Sequence, residues 1–338
     1  MNQRPDVAIV MANYNGARYI AAAIRSVVRQ TLTSWELIIV DDASTDDSLA
    51  VAAEAAAGDP RIAIVAQGSR KGPGAARNRA LDLATASWIA ILDSDDLMPA
   101  ERLESLLRCA HIAGASVVAD NLMTFSATSR PRSFLPERLC REPSWICLAT
   151  FIRSNCLYSR TPPLGYLKPL IRMAIVRELR LRYDETLRIG EDYDFLIRVM
   201  AHGYRLLLEP TSLYFYRKHE KSTSYRLRAD DILALIAADE RFVGRGFSFA
   251  PPIEAALRRR QHSLRSLLVY DTVLTALKRR DFLSAAGWAA RYPLMWPLLV
   301  QPISARLRRL AKYVRIWHQA NDGLEIEKLV LGAAEPAQ

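Results

Sequence analysis

No run of about 18 consecutive apolar residues occurs in the 338-residue sequence, which argues against a membrane-spanning helix. Cysteine is scarce: Cys109, Cys140, Cys147 and Cys156 show no C-x-x-C spacing, so buried free thiols are expected and zinc is not. The opening M-N-Q-R-P-D-V lacks a secretory signal pattern, and a cytoplasmic location is the expectation. Nucleotide fingerprints are missing too. The first apolar run leads into M-A-N-Y-N-G and not G-x-G-x-x-G, so a dinucleotide site is unsupported. Gly72-Pro73-Gly74-Ala75-Ala76-Arg77-Asn78 is Gly-rich but lacks the G-K-S/T ending of a P-loop. Acidic residues thin out over 251–320, where three face thirteen Lys and Arg. That surplus equals the net +10 of the whole chain, so the first 250 residues are near neutral. No nucleic-acid motif accompanies the basic region, and no nucleic-acid partner is expected.

What is present is a globular composition, 50% hydrophobic and 24% charged, with length enough for one large core or two smaller ones. Residues 88–97, W-I-A-I-L-D-S-D-D-L, are the stretch around which the rest is organised. Five mostly apolar residues fit a strand buried on both faces, and it ends in Asp93, Asp95 and Asp96. Three carboxylates at such an edge repel one another unless a cation neutralises them. Oxygen ligands suit Mg²⁺ or Mn²⁺, ions that keep phosphates as partners.

Strands are predicted over 7–11, 36–40 and 61–66, with helices over 18–29, to 57 after a Ser44-Thr45 N-cap, 72–84 and 99–113. This alternation indicates an α/β fold, a mostly parallel sheet with helices on both faces, whose ligand edge is the carboxyl end of the strands. Asn13, Asp41, Asp42, Asp93 and Asp95 fall on that edge. A strand over 115–119 would end at Asp120-Asn121, and 126–136 reads as a polar loop. Glu191-Asp192 open an apolar helical stripe, Phe195, Leu196, Val199 and Met200, where acids also suit the helix dipole. A late strand over 213–217 leads into Lys218-His219-Glu220-Lys221-Ser222-Thr223-Ser224.

Four blocks, V-A-I-V-M-A-N-Y-N-G, L-I-I-V-D-D-A-S-T-D, G-A-A-R-N-R-A and I-L-D-S-D-D, together resemble the family 2 glycosyltransferases of GT-A fold. The likeness runs to about residue 225, and L-G-Y-L-K-P-L-I-R with the Glu191 segment is most similar to bacterial exopolysaccharide enzymes of the succinoglycan type. The resemblance implies that Asp41 hydrogen-bonds uracil and that Ala12, Asn13 and Tyr14 line the nucleoside pocket, Ala12 standing where the family often has proline. Arg77 would suit a diphosphate, with Ser94 beside it. Asp93 and Asp95 would form the family's D-x-D, Asp95 ligating Mn²⁺ or Mg²⁺ directly, with His219 able to complete the shell or contact the diphosphate. Asp192 would be the general base, Glu191 its support, and Asp120, Lys168 and Arg172 candidates for acceptor contact.

The resemblance further implies a GT-A domain over 1–225, split into a nucleotide half (1–113) and an acceptor half (114–225). Beyond it, 226–331 reads as a basic helical region and 332–338 as a disordered tail. Clusters at Arg258-Arg259-Arg260, Lys278-Arg279-Arg280 and Arg306-Leu307-Arg308-Arg309, with aromatics around 292–300 and at Trp317, fit peripheral contact with anionic lipid. With no R-W dipeptide, the Q-x-x-R-W motif of processive members is missing. The expectation is thus an inverting, non-processive transfer of one hexose from a UDP-sugar, glucose with galactose or another hexose as the alternative. The acceptor would be a lipid-linked oligosaccharide at the inner face of a bacterial plasma membrane. The rivals are a non-catalytic nucleotide-binding scaffold and a sugar nucleotidyltransferase.

Overall fold

The computed structural model describes residues 4–127, 129–219, 227–293 and 296–298. They divide into two compact units. The first holds residues 4–148 and 164–219 of those described; the second holds 149–163 and the C-terminal helices.

In the first unit, β1 (Val7–Asn13), α1 (Ile20–Val28), β2 (Trp35–Asp41), α2 (Ser48–Ala56), β3 (Ile62–Ala66), α3 (Pro73–Leu83) and β4 (Trp88–Ile91) alternate as the sequence predicts. Val7 to Met11 are all fully buried. Side chains alternate across a strand, so burial of every residue means that both faces are covered, and the run reads as continuously apolar. Then come α4 (Arg102–Ala113), β5 (Val117–Ser126), β6 (Ser129–Ser133), β7 (Ser144–Ile146), β8 (Leu170–Arg172), α6 (Met173–Glu178), α7 (Glu191–Ala201) and β9 (Leu206–Arg217). One sheet runs β3-β2-β1-β4-β8-β5-β9-β7, with β6 on β5. The β3-β2-β1-β4 half is entirely parallel, β8 is antiparallel to β4 and to β5, and β5 pairs parallel with β9.

The register builds the ligand edge. Asn13 pairs with Asp41, and Val10 with Ile91, so three residues further on Asn13 is level with Ser94. On β8, Leu170 pairs with Ala90 and Arg172 with Trp88. Running back along this antiparallel strand brings Lys168 level with Leu92, next to the acidic edge, and sends Arg172 to the opposite end.

Three expectations are corrected. Ser44 and Thr45 do not cap α2, which starts after Asp47; the Ser44 side chain is drawn instead to the Asp41 carboxylate. Asp120 and Asn121 lie inside β5, not at its end, because the strand continues to Ser126. The pairing with β9 slips there, opposite the stretch that contains Pro210, whose ring nitrogen cannot donate to a ladder. Part of the expected 126–136 loop is β6, which tolerates Pro131 because it pairs only with β5.

The second unit contains α5 (Leu148–Ser154), α8 (Ala229–Val243), α9 (Pro251–Lys278) and α10 (Phe282–Arg291). Within it Arg260 is buried, bonds Asp239 at 2.8 Å and donates to the Asn155 carbonyl at 3.0 Å, which draws the 149–163 segment to the C-terminal helices. Ser222, Ser224, the basic run from Arg306, Trp317 and the 332–338 tail lie outside the described residues.

Candidate active site

At the end of β2, Asp41 is buried and its carboxylate accepts from the Ser44 amide (2.8 Å), the Ser44 hydroxyl (2.6 Å) and the Asn13 amide group (2.7 Å). Ala43 holds a left-handed φ of 57°, an uncommon conformation for a residue with a Cβ, and this bend turns Ser44 back onto Asp41. With its nitrogen spent on Asp41, Asn13 keeps Oδ1 buried and without a hydrogen-bond partner. An orphaned buried acceptor at a ligand edge is the mark of a donor that a ligand supplies. Asp42 is a tether: it accepts from the Lys71 (2.7 Å) and Gly72 (2.8 Å) amides and so fixes the entry to α3. Tyr14 is exposed, with the Arg70 guanidinium 3.8 Å from its ring centre.

The three carboxylates after β4 each bring an oxygen within 4.8 Å of the others. Their environments differ sharply. Asp96 is buried and accepts from the Tyr214 hydroxyl and the Arg217 amide, both at 2.7 Å. Burial and the neighbouring Asp95 and Asp93 push its carboxyl well above the usual range. Tyr214 also accepts from the Asp93 amide at 3.1 Å, and Leu97 exchanges two backbone bonds with Phe215, so β9 clamps the acidic turn. Asp93 is claimed on both oxygens, by Arg77 (2.7 Å) and by Lys168 (2.8 Å). Burial opposes its charge, but these two cations hold its carboxyl well below the usual range. Asp95 is the open one: its side chain is 30% exposed, and its Oδ2 lies 2.8 Å from His219 Nε2.

A hard bivalent cation fits this donor set through Asp95, with His219 adjacent. Asp93 would join through a lone pair that Arg77 and Lys168 do not take. Asp96 is already occupied by two donors.

Across from this edge, α7 opens on Gly190, whose φ of 83° suits a residue without a Cβ. Glu191 accepts from Arg77 at 2.5 Å, and Lys168 donates to Asp192 at 2.6 Å. Burial, with Asp192 beside it, raises the Glu191 carboxyl despite Arg77. Lys168 loses solvation on burial, yet Asp192 and Asp93 keep its ammonium pKa well above the ordinary value. Arg77 and Lys168 thus cross-tie the acidic turn after β4 to the acid pair of α7. Asp192 Oδ1 accepts no hydrogen bond, the nearest Arg77 nitrogen lying 3.4 Å away.

Of the candidate residues, Asn13, Asp41 and Ser94 share one row of the edge, beside Ala12 and Tyr14 at the end of β1. Arg77, Asp93, Lys168, Glu191 and Asp192 form one cluster, and Asp95 and His219 form a pair. Two candidates stand elsewhere. Asp120 is fully buried and ion-paired to Arg102 at 2.8 Å, so it cannot touch an acceptor; Arg102 in turn donates to the Lys168 carbonyl at 2.6 Å. Arg172 is exposed above the Trp88 ring at the far end of β4. Sequence reasoning missed Tyr214 and the cross-tying role of Lys168. Asp96 was visible as the fourth residue of D-S-D-D, but Tyr214 sits in an apolar strand whose local pattern carries no sign of its hydroxyl's partner.

The family model for glycosyl transferase family 2 matches residues 8–173. The succinoglycan biosynthesis protein ExoO of Rhizobium meliloti is 38% identical, over 98% of this chain and 94% of its own. Among solved structures, S. aureus TarS 1-349 in complex with UDP-GlcNAc superposes with a TM-score of 0.60 at 19% identity, over 86% of this chain and 92% of its own. The mannosyltransferase PcManGT of Pyrobaculum calidifontis, in complex with GDP-Man and Mn²⁺, gives 0.58 at 17% identity, over 98% and 86%. These structures share the GT-A α/β fold described above. Agreement over nearly the whole length of ExoO, with the family model spanning the β1–β4 edge, makes this chain a member of glycosyl transferase family 2.

Proposed function

We propose that the chain is a metal-dependent, inverting, non-processive hexosyltransferase that moves glucose from a UDP-sugar to a lipid-linked oligosaccharide during exopolysaccharide assembly. The observation that carries this reading is the cross-tie: Arg77 and Lys168 hold the D-S-D edge and Asp192 in one cluster, as a single displacement needs. Asp41 and the orphaned Asn13 Oδ1 offer acceptors to a nucleobase, with Ala12 and Tyr14 beside them. Arg77 supplies positive charge to the diphosphate, with Ser94 on the same edge. A bound Mn²⁺ or Mg²⁺, held by Asp95 with Asp93 and His219 near, would neutralise negative charge on the departing UDP.

Asp192 Oδ1 takes the proton of the acceptor hydroxyl as that oxygen bonds to the anomeric carbon. The bond from that carbon to the diphosphate breaks with its electron pair leaving on UDP. Attack opposite the leaving group inverts the anomeric centre and requires no enzyme nucleophile. Glu191, bound to Arg77, fixes the start of α7 rather than the proton.

The exopolysaccharide setting is supported by the kinship with ExoO, named for succinoglycan biosynthesis. No described helix is long and apolar enough to cross a membrane. Peripheral attachment at the inner face of the plasma membrane is supported by α10, where Phe282 (65%) and Leu283 (89%) are exposed beside Lys278, Arg279 and Arg280.

The test is calorimetric titration of UDP, with and without Mn²⁺, into wild type and Asp95→Ala. Metal-dependent binding that Asp95→Ala abolishes supports the reading. Binding of other nucleoside diphosphates but not UDP would overturn the donor, and no nucleotide binding would overturn the enzyme in favour of a scaffold.

A further inference from the structure

Three aromatic rings, Phe134, Tyr166 and Tyr216, pack together in the first unit. Tyr166 closes the short 3₁₀ turn Leu164–Tyr166. Its ring lies 6.0 Å from Phe134 at 51° and 6.1 Å from Tyr216 at 89°. None of the three is buried: Tyr166 is 37% exposed, and Phe134 and Tyr216 are half-buried. Partial exposure leaves part of each ring open to a ligand.

The position of the rings follows from connectivity. Tyr216 shares a sheet face with Tyr214, one pleat period of about 7 Å away. Tyr214 is the residue whose hydroxyl holds both Asp96 and the Asp93 amide. Tyr166 precedes Lys168 by two residues, at most about 7 Å of chain. Lys168 bridges Asp93 and Asp192, and the Tyr166 turn packs against α7, which carries Asp192. Tyr166 and Tyr216 therefore each lie within two residues of a group that holds the cluster, and Phe134 joins them through Tyr166.

We infer that Phe134, Tyr166 and Tyr216 form an acceptor subsite that takes the apolar face of a pyranose ring. An aromatic face carries the negative part of the ring quadrupole, and the C–H bonds on one face of a pyranose carry small positive charges. Such stacking orients a sugar by its flat face while its hydroxyl rim stays free for polar groups and for reaction. Half-exposed rings with a few convergent charged groups are what a pre-formed sugar site requires. The inference rests on the transferase reading above, because only an acceptor sugar needs a platform beside Asp192.

Saturation-transfer NMR on the full chain with UDP and Mn²⁺ tests it, using methyl β-D-glucoside, methyl β-D-galactoside and cellobiose as probes. Transfer to the pyranose C–H protons is expected in wild type, about three- to tenfold weaker in Tyr166→Ala and retained in Tyr166→Phe. Phe134→Leu, which leaves the central Tyr166 in place, is expected to weaken it less. UDP affinity by calorimetry stays unchanged in all three variants. Equal transfer in wild type and Tyr166→Ala would overturn the subsite, as would no transfer to any probe in a wild type that binds UDP. A wild type that binds no UDP would instead overturn the transferase reading, and the subsite with it.

Discussion

In the proposed reaction Asp192 is the base, and Lys168 is the cation that holds it beside Asp93. Asp192→Asn keeps the shape of the side chain and removes its basicity, so turnover of UDP-glucose should fall about 10²- to 10⁴-fold with UDP affinity unchanged. Steady-state kinetics beside calorimetry reads both, and an unaltered rate would remove Asp192 from the proton transfer. Lys168→Met leaves Asp93 with Arg77 alone. In the folded protein the Asp93 carboxyl is depressed by these cations, so their stabilisation is complete above the ordinary carboxylate pKa and fades as pH falls towards the folded value. Wild type should therefore exceed Lys168→Met in denaturant stability at neutral pH, with the gap narrowing below about pH 4. A gap that widens in acid would contradict the pairing.

At the scale of elements, the site depends on a support buried beneath it. Arg102 on α4 joins Asp120 in β5 and carries the Lys168 carbonyl, with neither ion exposed. Arg102→Met leaves Asp120 buried and unpaired, which should cost about 3–5 kcal/mol in chemical denaturation. Adding Asp120→Leu should restore much of the loss, because a buried pair exchanged for packed apolar groups is close to neutral. The turn after β1 is comparably exacting. A Cβ at position 16 would run into Asn13 Oδ1, the buried acceptor that lacks a hydrogen-bond partner. Gly16→Ala should weaken UDP binding by about tenfold while shifting thermal stability little, and equal UDP affinity would remove Asn13 from the nucleoside pocket.

At the scale of the whole molecule the excess charge is segregated. Thirteen Lys and Arg against three acids over 251–320 stand apart from a near-neutral remainder. Within the second unit the exposed Phe282 and Leu283 open α10 directly after the basic Lys278–Arg280 run. The full chain is expected to sediment with vesicles containing anionic lipid and not with zwitterionic ones, and to be released by raised salt. Arg279→Glu with Arg280→Glu should abolish sedimentation, while Leu283→Asp should reduce it at low salt as well. Vesicle binding indifferent to all three changes would place the membrane contact outside α10.

Sequence alone determined the β1–β4 half of the sheet. Continuous apolar runs that end in Asn13, Asp41 and Asp93 dictate buried parallel strands with a polar carboxyl edge, because pattern and chemistry lie in the same few residues. The Glu191-Asp192 helix start was legible for the same reason. Tertiary structure alone decided what sequence separation conceals. Asp120 looked like a strand-end carboxylate and is a buried partner of Arg102, because β5 continues past it. Lys168 stood as a candidate for acceptor contact and is the bridge between two acids 99 positions apart, Asp93 and Asp192, because an antiparallel strand returns it to the acidic edge. Local periodicity reports which face of an element is buried; only the pairing of distant strands fixes which charges meet there.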